Sequence, residues 1–121
     1  MMCRAADRNE LLGKWVFYSS NQDIPEKCRN SYLDFVSISK IAGSDGSRTA
    51  EVEYSAEKIE SGYNLITKRV NSNGEPNCRG VPDEKTSTRK LAFFFIVLSK
   101  DSNYMKFFFS KDYYHIYKRV K

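Results

Sequence analysis

Metal-binding and nucleophilic chemistry have little to work with in this sequence. It has one histidine, His115, and three cysteines, Cys3, Cys28 and Cys78, set far apart and without the CxxC or clustered-histidine spacing of a zinc site. Neither a metal nor any other cofactor is expected. A Ser-His-Asp or Cys-His mechanism would have to run through His115, and neither an acid nor a nucleophile stands at a defined spacing from it. The residues therefore point to a non-enzymatic protein. Long apolar runs are also missing. The longest, residues 91–98, has the length of a strand and falls far short of the roughly 20 residues of a membrane helix, so no membrane span is expected. The N-terminal residues 1–8 lack the apolar core of a signal peptide. That leaves two readings of location, a mature secreted protein and a cytoplasmic one.

Charge of one sign is not concentrated either. The net charge is +5, from 20 Lys and Arg against 15 Asp and Glu. The densest clusters, Lys68-Arg69 and Lys118-Arg119-Val120-Lys121, are short, which reads as a solvated basic rim and makes nucleic acid an unexpected partner.

Aromatic residues are what the sequence has in quantity: eight Phe, eight Tyr and one Trp in 121 residues, enough large rings for one core and one domain spanning 1–121. Apolar and polar residues alternate through most of the chain, the period of half-buried strands, with turn residues at short intervals. Strands are expected at 11–20, 32–41, 48–55, 63–71, 90–99, 104–109 and 113–120, with a long loop over 76–88. Residues 5–12 and 56–59 are the only helix-capable pieces. Seven or eight short antiparallel strands with local connections favour an all-β up-and-down barrel, because closure removes exposed edges. Cys28 and Cys78 lie in polar, loop-like stretches where a secreted β-protein places a disulfide, with Cys3 left over; the alternative is three free thiols in a reducing compartment.

Three segments carry a resemblance. Leu12-Gly13-Lys14-Trp15 resembles the G-x-W signature that opens the first lipocalin strand. Residues 97–104, Val-Leu-Ser-Lys-Asp-Ser-Asn-Tyr, resemble the family's second motif, a strand, an acidic turn and a tyrosine. Tyr117-Lys118-Arg119 falls where the family keeps an arginine on its last strand. The chain thus resembles the lipocalins and the wider calycin superfamily, and the resemblance implies an antiparallel barrel of about eight strands. It also implies closure by Gly13, Trp15 and Arg119, the guanidinium lying across the indole. The usual C-terminal helix is lacking, so the match is to a trimmed, lipocalin-like barrel. Fatty-acid-binding proteins are less similar: residues 21–30 are too short and polar for their helical lid, and His115 stands where their ligand-binding arginine would be.

If Trp15 points inward, strand alternation turns Phe17 inward too. The other inward candidates are Tyr54, Phe93, Phe95, Met105, Phe107, Phe109, Tyr113 and His115, with Val52 and Tyr117. All but Val52 and Tyr117 form the expected ligand-binding set of nine, a cup of Phe and Met with Tyr hydroxyls and one imidazole as polar handles. The same side chains could instead fill a small barrel completely. Val16, Tyr18, Phe94, Ile96, Phe108, Tyr114 and Ile116 then fall on the outer face, an apolar patch of the kind that marks a homodimer or protein-partner interface. Two functions follow: a carrier or scavenger of a small hydrophobic ligand, or a lipocalin-like interaction module, inhibitory or immune-modulating, with a filled interior.

Overall fold

Short runs of β-branched and aromatic residues, broken by Gly, Ser, Asn and Asp, leave the backbone few alternatives to extended structure. In the computed structural model, which describes residues 10–82 and 91–120, these runs form eight strands: β1 Gly13–Ser20, β2 Tyr32–Phe35, β3 Lys40–Ser44, β4 Thr49–Ile59, β5 Gly62–Ser72, β6 Leu91–Leu98, β7 Tyr104–Ser110 and β8 Tyr113–Arg119. Each pairs antiparallel with the next and β8 pairs with β1, closing an up-and-down barrel. A short 3-10 turn, Glu26–Asn30, lies between β1 and β2.

The structure departs from the sequence expectation at three places. The segment 32–41 is two strands, because the chain reverses at Val36–Ser39: the Val36 and Ser37 amides both donate to the Lys40 carbonyl, and the Ser37 hydroxyl accepts from the Ser39 amide. Residues 56–59 extend β4, held by pairing across to β5 from Ala56↔Leu65 to Ile59↔Gly62. Tertiary pairing overrides the local helical preference there. Residues 5–9 of the other helix-capable piece lie outside the described residues, as does Cys3.

The third departure is the facing of β6, and it corrects the placement of Phe93 and Phe95. Leu-Ala-Phe-Phe-Phe-Ile-Val-Leu is apolar on both faces, so alternation alone carries no phase. Opposed residues in an antiparallel pair share a face. The register Tyr63↔Ile96 and Leu65↔Phe94 on one side, and Ile96↔Phe107 and Leu98↔Met105 on the other, therefore turns Phe94, Ile96 and Leu98 inward. Phe93 points out, 65% exposed, and Phe95 lies beside Phe108 on the outer surface. The outer apolar set includes Phe93 and Phe95 in place of Phe94 and Ile96.

One end of the barrel is packed solid. Trp15, Phe35, Tyr63, Leu65, Ile96 and Met105 are almost completely buried there, together with Leu11, each worth roughly 1.5–3 kcal/mol of transfer free energy. The Arg119 guanidinium sits 4.1 Å above the Trp15 ring. It donates to the carbonyls of Ser102 and Leu12 at 2.9 Å each and to that of Glu10. The Trp15 indole N–H donates to the Leu11 carbonyl at 3.0 Å. Gly13 has φ +112°, where a side chain is strained, and a Cβ on it would lie 3.7 Å from Arg119 Nη1. These contacts join the first strand, the last strand and the β6–β7 turn. In that turn Asp101 accepts from the Ser99 hydroxyl at 2.6 Å and the Asn103 amide at 3.1 Å, and these bonds, the hydroxyl first, hold its carboxyl below its ordinary pKa.

Candidate functional site

Above the packed base the barrel is hollow. A cavity of about 390 Å³ opens toward the end where β1, β3, β5 and β7 finish, a volume in the range of small-molecule sites. Its apolar wall comes from alternate positions of neighbouring strands: Leu33 of β2, Ile41 of β3, Ala50 and Val52 of β4, Phe94 of β6, and Phe107 and Phe109 of β7. Its polar groups are few. Thr67, buried on β5, faces in; Ser31 and Tyr117 share a hydrogen bond at 3.1 Å; His115 and Tyr113 stand higher on β8.

His115 is held rather than free. Its Nε2 is 3.3 Å from the Tyr113 hydroxyl and its Nδ1 3.5 Å from that of Tyr117, and Phe17 and Phe109 meet the imidazole edge-on at 5.1 and 4.8 Å. Burial, and then the nearby Arg79 charge, push its pKa down to about 4, so the ring is neutral at pH 7. Burial pushes the Tyr117 phenol up to about 12. Its hydroxyl is a neutral donor and acceptor.

The rim is built by the Asp45–Arg48 turn, the Cys28–Cys78 disulfide and the segment 73–82. Asp45 accepts from the amides of Ser47, Arg48 and Cys78, which uses both carboxylate oxygens on backbone. Arg48 donates to the carbonyls of Glu75 at 2.7 Å and Val81 at 3.0 Å, latching segment 73–82 across the opening. The disulfide, with its Cα atoms 5.0 Å apart, anchors the same segment to the 3-10 turn. Arg79, exposed at the rim, lines the cavity.

Of the nine side chains expected to bind ligand, Phe107, Phe109, Tyr113 and His115 line the cavity. Tyr54 and Met105 belong to the packed base; the Tyr54 hydroxyl donates to the Ser37 carbonyl at 2.8 Å. Phe17 packs behind His115 and Tyr117. Phe93 and Phe95 are outside. Sequence reading missed Phe94, Leu33, Ile41, Thr67 and the rim residues Asp45, Arg48 and Arg79. The three rim residues sit in turns and loops, where no periodic signal reports facing. Among the described residues no group of three or more His, Cys, Asp or Glu is placed to hold a metal ion, and no helix is long and apolar enough to cross a membrane. No family model, curated protein or solved structure matches the chain at a significant level.

Proposed function

We propose that this barrel is a small, lipocalin-like, non-enzymatic carrier or scavenger of a hydrophobic molecule. The observation that carries the reading is the half-filled interior: an aromatic cavity of about 390 Å³, floored by a close-packed base and provided with a few convergent polar groups at one side. The Cys28–Cys78 bridge supports an oxidising, extracellular setting. His115 between two phenols is suited to orienting a polar atom of the ligand.

The test is titration of the full chain with dansylaminoundecanoate and with retinol. Saturable, blue-shifted emission at one ligand per chain is expected for at least one probe. Ala50→Trp, which fills the cavity from β4, should weaken it at least tenfold. Absence of saturable uptake of both probes overturns the carrier reading. The second reading, a protein-interaction module, is favoured by Tyr18 and Phe93, 57% and 65% exposed on the outer face. A dimer by light scattering together with no probe uptake would put it first.

A further inference from the structure

Among the described residues, the backbone ladder around the cavity is incomplete on one side. β6 begins at Leu91 and β7 runs to Ser110, but their ladder stops at the Phe95↔Phe108 pair. Beyond that pair, residues 91–94 are, among the described residues, paired only to β5, from Lys68↔Leu91 to Leu65↔Phe94, and Ser110 is paired to Tyr113 of β8. The two strands part company toward the open end. A groove of about 470 Å³ fills the parting, lined by Phe93, Phe95, Phe108, Ser110 and Lys111 together with Phe94 and Phe109. The last two also line the interior cavity, and their rings meet edge-on at 6.1 Å. They are the partition between inside and outside.

Three further facts restrict what could use this seam. The cavity floor is closed by packed side chains, so an apolar chain longer than the cavity has no way down. The seam is lined by aromatic rings on both sides of the partition, with Phe93 65% exposed at its outer lip. The cations that border the two openings, Arg79 at the rim and Lys111 at the groove, face no carboxylate ion pair among the described residues, and the Asp45 carboxylate is spent on backbone amides.

We infer that the ligand is a long-chain amphiphile with one anionic head, the head held at the Arg79 rim beside His115 and the tail leaving sideways between β6 and β7 onto the Phe93–Phe95–Phe108 groove. This rests on the carrier reading and names its ligand class. The seam lets a cavity of fixed volume take chains longer than itself. Phe94 and Phe109 are the gate, since ring rotation at that pair widens the passage without breaking a backbone hydrogen bond.

The experiment is displacement of dansylaminoundecanoate by a saturated fatty-acid series from octanoate to palmitate, with hexadecanol and a palmitoyl lysophosphatidate as head-group arms. Affinity should keep rising through palmitate, by about fourfold per methylene when each is fully buried. Hexadecanol should bind at least tenfold more weakly than palmitate, and Arg79→Ala should remove most of that difference. The tighter of palmitate and lysophosphatidate identifies the head as carboxylate or phosphate. In Phe93→Asp, at a largely exposed position, the gain from decanoate to palmitate should fall at least tenfold. A stearate carrying a spin label at its methyl end should broaden the amide signals of Phe93, Phe95 and Phe108 in preference to those of Ile96 and Met105.

An affinity plateau above decanoate, an undiminished gain in Phe93→Asp, or preferential broadening at Ile96 and Met105 would each overturn the side passage. Dansyl binding that no fatty acid displaces would overturn the ligand class while leaving the carrier reading intact. No binding of either kind would overturn the carrier reading first. A dimer at assay concentration that shields Phe93 and is not dissolved by palmitate would mean that a second copy occupies the groove.

Discussion

Trp15 has one face under the Arg119 guanidinium and the other in the core, and its N–H is satisfied by the Leu11 carbonyl. Replacing it by Ala leaves a void at the meeting point of β1, β8 and the β6–β7 turn. The expected loss is about 3 to 5 kcal/mol, read from urea unfolding followed by circular dichroism; a loss below about 1 kcal/mol would contradict its place in the base. His115 makes a pH prediction. Its pKa is lowered from 6.5 to about 4 in the fold, burial being the larger cause. The unfolded chain therefore takes up the proton first as pH falls. The stability this group contributes is complete above about pH 6.5 and is lost as pH falls toward about 4. The loss is about 2 kcal/mol, water in the open cavity screening part of the shift. Comparing urea midpoints at neutral and acid pH for the wild type and His115→Gln isolates it, because the variant lacks this share of the acid loss. Equal acid losses in the two proteins would refute it.

At the scale of elements, two glycine turns at the rim separate backbone conformation from space. Gly46 and Gly74 both have positive φ, but a Cβ on Gly46 would stand 1.8 Å from the Lys27 carbonyl oxygen, whereas one on Gly74 meets nothing within 4 Å. Gly74→Ala should cost about 1 kcal/mol and Gly46→Ala more than about 2 kcal/mol, since the second must also displace the segment carrying Cys28. Equal thermal midpoints for the two variants would mean that the turn over Lys27 is not packed as described. The strands differ in how far their facing could be read. Alternation on β4 places Ala50 and Val52 on the cavity and Tyr54 in the base. On β6 every residue from Leu91 to Leu98 is apolar, and its phase comes from Tyr63, Leu65, Met105 and Phe107 on the neighbouring strands.

At the scale of the molecule, the Cys28–Cys78 bridge spans a sequence separation of 50 and ties the segment over the cavity to the turn before β2. Cys78→Ser should lower stability by about 4 kcal/mol through the larger entropy of the unfolded chain, read by chemical unfolding. A change under about 1 kcal/mol would mean that the bridge does not constrain the chain. What the sequence determined alone is the barrel. Period-two alternation and short connections are local signals that survive without knowledge of the neighbours. Four cavity residues near the C-terminus were legible for the same reason, on strands joined by the short turn of β7 to β8. What only the tertiary structure decided is which part of the interior is full and which is empty. The strand that turns back at residues 36–39, the inward face of β6, the rim drawn together by Arg48 and the disulfide, and the parting of β6 from β7 all depend on register between strands. Register is set by the sum of contacts across a pair, and a uniformly apolar strand carries no record of it in its own residues.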